Sequence, residues 1–487
     1  MDVLFVASEV APFSKTGGLG DVAASLPGAL ASRGHRVAVV TPRYGGIDPR
    51  RHGFSWLPAS IEARGERCGL WLRRGGPGSP EVYLLEHDLF YGFRRNPYGE
   101  GGIDYPDNPA RFAFLARAAL ELPRVLQFRP TVAHFNDWQS ALGPWLLRGE
   151  HGDDPWLSGT RSVFTIHNLA YQGMFSKALM DVLGLPWSIF RMDRGVEFHD
   201  QLNFMKAGLS FADALTTVSP NYAREILTVE GGYGLDTVLR SRSGDLFGIL
   251  NGIDDREWDP ARDPHLPVHY DRRDLRGKIR VKAALQAELG LPVKPHVPLV
   301  GLVGRLADQK GIDLMAAATP ALLRSDAQFA LLGSGQREFE EFFAWVGRER
   351  PDRFAARIGF DEGLAHRIEA GSDLFLMPSR FEPCGLNQMY SLRYGTIPVV
   401  RSVGGLADTV QRFDPGRGTG TGFVFTHYDV NGLLWAVREA LAAYGRPQDW
   451  ARLRANAMAA DFSWESSARR YDELYRSLVA AHGRRRG

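Results

Sequence analysis

The chain has 487 residues, which is too long for one hydrophobic core and predicts two or three domains. Apolar residues make up 44% and charged residues 23%, as in ordinary globular proteins, and the net charge of +2 excludes a strong field for nucleic acid or a membrane surface. No apolar run reaches membrane-spanning length. The two cysteines, Cys68 and Cys384, stand far apart without a metal-ligand pattern, which predicts free thiols in a reducing, cytoplasmic compartment.

A glycine-rich segment follows the first predicted strand. The strand is the apolar run Val3–Ala7, and Ser14–Asp21 carries three glycines ahead of a helix predicted over Val22–Ser32. The glycines let the backbone approach a ligand, and the N–H groups of a helix start beside Lys15 favour a phosphate or a sugar diphosphate. The segment matches neither the P-loop nor the dinucleotide fingerprint. A tight turn without a ligand is the alternative interpretation.

Strand and helix patterns alternate through the first half of the chain and predict a parallel, doubly wound sheet. A second helix, predicted over Ala110–Val125, begins after Pro109. The further strand candidates of this array are Arg36–Thr41, Glu81–Glu86, Thr131–Phe135, Ser162–Ile166, Ala214–Val218 and Leu246–Leu250.

Residues 251–297 are rich in proline and charge, interrupt this rhythm and suit a linker or boundary region. A second array of strands and helices follows and predicts a second doubly wound sheet. Its motif Gly404–Asp408 faintly resembles Gly17–Asp21 and is weak support for a duplication. An amphipathic helix is predicted over Trp464–Val479. The strand candidates of this array are Leu299–Val303, Phe329–Leu332, Arg357–Ile358, Leu374–Met377 and Ile397–Val400.

The predicted fold class is therefore α/β, with two doubly wound, Rossmann-like domains that face a cleft. The domains are predicted at residues 1–245 and 246–462, followed by a C-terminal helix at 463–487. Open α/β sheets bind ligands beyond the carboxyl ends of their strands, so the loops at those ends must carry the chemistry.

Two loops of the second half combine cations with a helix start. Arg305 and Lys310 are five residues apart across a loop, so both can reach one diphosphate; a solvated pair is the alternative. Glu382 precedes Gly385 and Leu386, whose N–H groups would face an anion at the next helix. A carboxylate beside an anion site favours a catalytic or hydroxyl-binding role.

Two further observations bear on the chemistry. His167 stands at a strand end, where it could bind a sugar hydroxyl, and a histidine satisfied by backbone groups is an equally good interpretation. The sequence contains no Asp-x-Asp motif, so the usual metal–diphosphate clamp is missing, and cations and helix amides would replace it. We therefore predict neither a metal nor a cofactor.

Taken together, these motifs make the chain resemble the bacterial glycogen synthases and the plant starch synthases over nearly its whole length. The resemblance implies the two-domain GT-B architecture, with the final helix crossing back to the first domain. It also implies retaining transfer of glucose from ADP-glucose to the non-reducing 4-OH of an α-1,4-glucan. The motifs that carry it are Lys15–Leu19, Asn96–Tyr98, Asp104–Asn108, Asp137-Trp138, Thr165–Gly173, Asn251–Asp254, Gly304–Leu306, Gln309–Gly311 and Glu382–Leu386.

The same resemblance implies roles for individual residues. In the implied catalytic group, Arg305 and Lys310 hold the diphosphate and Glu382 contacts the glucose hydroxyls near the anomeric carbon, with His167 and Asp21 completing it. The implied substrate-binding group consists of Lys15, Gly18, Tyr98, Asp137, Asn251, Cys384, Gly385, Leu386 and Thr409. Three alternatives stay open: UDP-glucose as donor, a non-catalytic nucleotide-sugar sensor, and a covalent intermediate instead of front-face attack.

Overall fold

In the computed structural model, which describes residues 1–486 and the side chains of residues 1–481, the chain forms two units. The first comprises Met1–Gly252 and the helix that begins at Trp464, and the second comprises Ile253–Ser463. The first unit extends past the predicted boundary at 245 because the strand Leu246–Gly248 pairs in parallel with Ala214–Thr217.

The main sheet of the first unit has nine strands. In chain order, the strands of this unit are β1 Asp2–Val6, β2 Arg36–Pro42, β3 Ser55–Ala63, β4 Glu66–Arg73, β5 Glu81–Glu86, β6 Gly99–Glu100, β7 Ile103–Asp104, β8 Val132–Asn136, β9 Arg161–Ile166, β10 Met174–Ser176, β11 Glu197–Phe198, β12 Gln201–Asn203, β13 Ala214–Thr217 and β14 Leu246–Gly248. The order in the main sheet is β14-β13-β9-β8-β1-β2-β5-β4-β3. The direction of winding reverses between β1 and β8, which makes this pair the switch point where a doubly wound sheet binds ligands.

The hairpin of β3 and β4 was not predicted from the sequence. It pairs antiparallel with β5 and turns the sheet from purely parallel into mixed. Its first strand contains Pro58, and the pairing register shifts between Leu57 and Ser60, so the apolar residues do not alternate regularly. Because the apolar residues lack a period of two, the sequence pattern does not indicate a strand here.

Helices of the first unit cover the parallel part of the sheet. The helix over Asn108–Leu126 carries Pro109 in its first turn, where the missing N–H costs nothing. Asn203 and Ser219 cap two others by accepting from main-chain N–H groups, and such a cap contributes about 1 kcal/mol. In chain order, the helices of this unit that precede Ile253 are α1 Gly18–Ser32, α2 Asn108–Leu126, α3 Gly143–Gly149, α4 Leu179–Val182, α5 Phe204–Phe211, α6 Pro220–Glu225 and α7 Asp236–Ser241.

The second unit contains a parallel sheet of six strands. They are β15 Leu299–Val303, β16 Gln328–Gly333, β17 Phe354–Ile358, β18 Leu374–Met377, β19 Ile397–Arg401 and β20 Phe423–Phe425. Their order is β17-β16-β15-β18-β19-β20, with the switch point between β15 and β18. The five predicted strands are present, and the short strand β20 was missed.

The prediction of a linker over residues 251–297 is wrong for nearly all of that range. Leu266 and Tyr270 are buried against helices of the second unit, and the Tyr270 hydroxyl donates to Tyr394 O at 2.9 Å. Proline and charge here belong to a folded layer rather than to a spacer. The helices of this unit are α8 Arg276–Leu289, α9 Ile312–Leu322, α10 Arg337–Glu349, α11 Glu362–Gly371, α12 Asn387–Arg393, α13 Gly404–Thr409, α14 Val430–Tyr444 and α15 Pro447–Ala459.

The last helix, α16 Trp464–Arg486, belongs to the first unit. It buries Tyr471 and Tyr475, and the Tyr475 hydroxyl lies 2.6 Å from Nδ1 of His134 on β8. Burial lowers the pKa of His134 to about 3, so this contact involves a neutral ring. Asp472 Oδ1 lies 2.9 Å from His35 Nε2 and adds a second buried polar contact. Across the described residues, every helix is too short or too polar to span a bilayer.

Candidate active site

The glycine-rich segment of the first unit forms the start of α1, which begins at Gly18 rather than at the predicted Val22. A Cβ added at Gly17 or Gly18 would meet no atom of the described residues within 4 Å, so the space above both glycines is open. Lys15 Nζ lies 2.7 Å from Asp21 Oδ1, and the Lys15 side chain is 49% exposed. An open helix start beside an exposed cation is suited to an anion. Asp21 holds that cation in place.

Glu9 organises this segment, although its sequence context did not mark it as a site residue. Its buried carboxylate accepts from the Thr16 N–H, from Thr16 Oγ1 at 2.7 Å and from the Tyr98 hydroxyl. Burial and the neighbouring Glu9 charge raise the pKa of Tyr98 well above its usual value, so Tyr98 remains a donor. Tyr98 therefore braces the Lys15–Thr16 turn through Glu9. The sequence signal available for Glu9 was an acidic residue three positions after the end of the buried strand β1.

His167 follows β9 and is buried beside the end of β8. Its Nε2 lies 3.0 Å from Asn136 Oδ1, while Asn136 Nδ2 donates to Val6 O. The amide oxygen is thus the acceptor, His167 Nε2 carries the hydrogen, and Nδ1 is left as an acceptor. Burial lowers the pKa of His167 to about 3, so the ring is neutral at physiological pH. This state is suited to accept a hydrogen bond from a sugar hydroxyl.

Asp137 supports the same corner of the first unit. Its Oδ1 accepts from the His167 N–H at 2.7 Å and from the Asn168 N–H at 3.4 Å. The backbone of Asp137 has φ 55°, a left-handed conformation that is uncommon outside glycine. Burial raises the pKa of this carboxyl to about 7. Its contacts make Asp137 a residue that positions His167.

Asn251 lies near the end of the first unit, and its N–H donates to Val218 O just beyond β13. The residue is buried, and its Oδ1 has no hydrogen-bond partner among the described residues. A buried amide oxygen without a partner is costly, which makes it a good position for a ligand donor.

In the second unit, Lys310 and Glu382 meet at the switch point. They follow β15 and β18, the two strands between which the winding reverses. Lys310 Nζ lies 2.6 Å from Glu382 Oε2, and the Glu382 side chain is only 7% exposed. Ser379 Oγ donates to the same oxygen at 3.1 Å. Arg305 is exposed and donates to Gln309 Oε1 at 2.9 Å, so it lies on this loop without joining the pair.

The loop after β18 is packed closely on the start of α13. A Cβ at Gly404, where φ is +43°, would lie 1.9 Å from Glu382 O, and a Cβ at Gly405 would lie 2.1 Å from Cys384 O. Only glycine therefore fits beneath this loop. The Gly404–Gly405 pair thus supports a loop, whereas Gly17 and Gly18 face open space.

Gln388 and Thr409 hold the same loop from within. Gln388 Nε2 donates to Cys384 O at 3.1 Å, to Gly385 O at 3.0 Å and to Thr409 Oγ1 at 3.1 Å. Thr409 is buried and donates to Gly405 O at 2.6 Å. Leu386 is the N-cap residue of α12, and Cys384 is buried. The hydroxyl of Thr409 is thus engaged within the fold and supports the loop around Gly385.

Two doubly wound units, each with charged side chains beside its switch point, form the GT-B architecture. A family described as "Starch synthase catalytic domain" matches residues 2–241, and one described as "Glycosyl transferases group 1" matches residues 287–457. The chain belongs to the glycogen and starch synthase family of retaining glycosyltransferases.

The relatives match this chain over nearly its full length. The glycogen synthase of Anaeromyxobacter dehalogenans (strain 2CP-C) is 64% identical over 479 residues, which cover 98% of this chain and 100% of that protein. The glycogen synthase of Myxococcus xanthus (strain DK1622) is 49% identical over 99% of this chain and 100% of that protein. Among solved structures, the catalytic domain of starch synthase IV from Arabidopsis thaliana, bound to ADP and acarbose, superposes with a TM-score of 0.90 at 37% identity and covers 98% of this chain and 99% of that chain.

Proposed function

We propose that this protein is a glycogen synthase that transfers glucose from ADP-glucose to the non-reducing 4-OH of an α-1,4-glucan and retains the α configuration. The observation that carries the proposal is the Lys310–Glu382 pair at the switch point of the second unit, in a chain of this family. It combines a cation for a leaving diphosphate with a carboxylate for the sugar. The Arabidopsis relative was solved with ADP, which supports an adenine nucleotide as the donor.

The leaving diphosphate determines what the cations must do. Breaking the glycosyl–phosphate bond leaves negative charge on the β-phosphate, and donors placed where charge develops stabilise the transition state. We assign this role to Lys310 and Arg305, with the backbone N–H groups of Gly385 and Leu386 beside them. Lys15 and the Gly18 amide are assigned to the donor from the first unit, where Asp21 holds Lys15.

We assign the contacts with the glucose of the donor to neutral and negatively charged groups. His167 Nδ1 and Asn251 Oδ1 would accept from glucose hydroxyls, and Glu382 would stabilise the positive charge that grows near the anomeric carbon. We favour front-face attack, with the leaving phosphate taking the acceptor proton. The Glu382 carboxylate is bound to Lys310 at 2.6 Å, and this ion pair makes it a weaker nucleophile than a free carboxylate. Tyr98, Asp137, Cys384 and Thr409 support these groups through the contacts described above.

The site calls for no cofactor, and both cysteines are buried thiols that suit a reducing, cytoplasmic compartment. The proposed partners are ADP-glucose and the glucan. The net charge of +2 gives no reason to expect a nucleic acid or membrane partner.

Incubation with ADP-glucose and glycogen should release ADP and lengthen the glucan with α-1,4 linkages. The initial rate should be the same in EDTA as in Mg²⁺, because the proposed diphosphate contacts are side-chain cations and helix amides. Coupled ADP detection and debranching of the product measure both outcomes. A failure to release ADP with glycogen or maltooligosaccharide would refute the function, and a strict Mg²⁺ or Mn²⁺ requirement would refute the metal-free clamp.

ADP-glucose should have a higher kcat/KM than UDP-glucose. The diphosphate and glucose contacts cannot distinguish these donors, so selection must come from groups around the base. Tyr98 is a poor candidate for that task because its hydroxyl is held by Glu9 and by Ser8. A pocket that hydrogen-bonds the base rejects the wrong base strongly, whereas stacking alone discriminates weakly. Steady-state kinetics with both donors decides, and an equal or higher value for UDP-glucose would contradict the proposal.

A further inference from the structure

A second polar cluster lies in the second unit, in residues that the proposed reaction does not use. Glu362 and His366 occupy successive turns of α11, and Glu257 comes from the turn that follows the start of this unit. One donor atom from each of the three residues lies within 4.8 Å of the others. The two glutamates are exposed, whereas His366 is 1% exposed.

The state of His366 is fixed by its neighbour Asp263. His366 Nδ1 lies 2.8 Å from Asp263 Oδ2, and the same oxygen accepts from the Tyr394 hydroxyl at 2.5 Å. Because Oδ2 accepts from the Tyr394 hydroxyl as well, the geometry makes Nδ1 the donor to Asp263, and in the tautomer that this contact selects the lone pair lies on Nε2.

Among the described residues, Nε2 of His366 has no hydrogen-bond partner. Nε2 is buried, and no described residue donates to it. The ring cannot turn easily to find one, because Trp258 stacks on it with ring centroids 3.7 Å apart and an interplanar angle of 12°. Trp258 is itself stacked on Tyr390 at 3.7 Å. A fixed imidazole, with one nitrogen held by a carboxylate and a bare lone pair on the other, is how proteins present histidine to a metal.

We propose that Glu257, Glu362 and His366 bind a divalent transition-metal ion, with Zn²⁺ the best suited, and that Asp263 orients the histidine. One imidazole nitrogen and two carboxylates suit Zn²⁺, whereas Ca²⁺ and Mg²⁺ prefer oxygen ligands throughout. Ligands of tetrahedral Zn²⁺ lie about 3.3 Å apart at its usual bond lengths, so the donor atoms need to move closer together by at most about 1.5 Å. Both glutamates are exposed and can do so by changing rotamers.

Glu338 provides a matched control for the loss of charge in a Glu362 variant. Glu362 and Glu338 are both exposed glutamates in the first turn of a helix, of α11 and α10 respectively. Replacing either by Gln removes one negative charge from the same local setting, but only Glu362 belongs to the cluster. Neither residue is part of the proposed active site.

Untagged, full-length protein is stripped with EDTA, desalted and titrated with ZnCl₂ in competition with a chromophoric chelator. We expect one Zn²⁺ per chain, and at least about tenfold weaker binding in Glu362→Gln and Glu257→Gln, the lower end of the loss for disturbing a metal site. Glu338→Gln should bind as the unmodified chain does. ZnCl₂ should also raise the melting temperature of the unmodified chain and of Glu338→Gln, but not of Glu362→Gln.

Three outcomes would overturn the proposal. The first is the absence of stoichiometric Zn²⁺ binding by the unmodified chain. The second is equal affinity in Glu362→Gln and Glu338→Gln. The third is loss of binding on replacing Cys68 or Cys384 by Ser while Glu257→Gln still binds normally, which would place the ion on a thiol. Because both glutamates are exposed, their variants are expected to fold, and no outcome depends on a variant of the buried histidine.

Discussion

Glu382→Gln is expected to lower kcat for glucose transfer by about 10²–10³-fold, the scale for removing one group that stabilises developing charge. The substitution keeps the shape of the side chain but removes the negative charge that holds Lys310 Nζ at 2.6 Å. It also removes the proposed counter-charge for the sugar cation. Because the glucose contacts of the ground state are largely kept, KM for ADP-glucose should change much less than kcat.

Glu341→Gln is the matched control for this variant. Glu341 forms an ion pair with Arg337 at the same 2.6 Å distance, but on the exposed face of α10. Exposed pairs contribute little, so the control should keep full activity and nearly the same melting temperature. A Glu382→Gln protein that melts normally and turns over like the unmodified chain would remove Glu382 from the proposed site.

The sequence predicted most of the parallel strands because each is a short apolar run closed by turn residues. β1, β15 and β18 are buried along nearly their whole length, and a period of two is not needed to recognise such strands. The hairpin Ser55–Arg73 was not predicted because a bulge and a proline break its alternation of apolar and polar residues. Residues 253–297 were misread because proline and charge were taken as signs of a spacer, although their apolar residues are buried in the second unit.

Site residues could be predicted where a motif directly follows a predicted strand. They could not be predicted where their role depends on contacts with residues far away in the sequence. Lys310 and Glu382 could be placed near one another because both follow strands of one sheet. Glu9 could not, since its role depends on Tyr98, far away in the sequence, reaching back to its carboxylate. The start of α1 was also placed too late, because glycines are poor helix formers and Gly18 is helical only in the folded context.

For Asp137 and Thr409, the sequence identified the position but not what the side chain contacts. The family resemblance implied that both positions bind substrate, but it could not say whether their side chains face a ligand or a neighbouring side chain. The hydrogen bonds of Asp137 to the His167 turn, and of Thr409 to Gln388 and Gly405, favour support over direct contact. The assignment of either residue to substrate binding stays a prediction.

Lys310→Ala is expected to lower kcat by about 10²–10³-fold, with a smaller change in KM, because its charge acts on the phosphate where charge develops. The variant also leaves a carboxylate that is only 7% exposed without its cation, so its melting temperature should fall. Lys177→Ala, which breaks the exposed pair with Asp200, controls for the loss of a paired lysine and should be nearly silent.

Combining Lys310→Ala with Glu382→Gln separates two interpretations of the pair. If both groups serve one transition state, the double variant should lose about as much activity as the worse single variant, because residues that act as a unit are not additive. If Lys310 serves the diphosphate and Glu382 serves an unrelated step, the two losses should multiply. The double variant should have a higher melting temperature than Lys310→Ala alone, because the neutral amide introduced by Glu382→Gln needs no cation. A multiplicative loss of activity would contradict a shared role of the two residues, and a Lys310→Ala variant that changes only KM would show that this lysine binds the donor without acting on the bond that breaks.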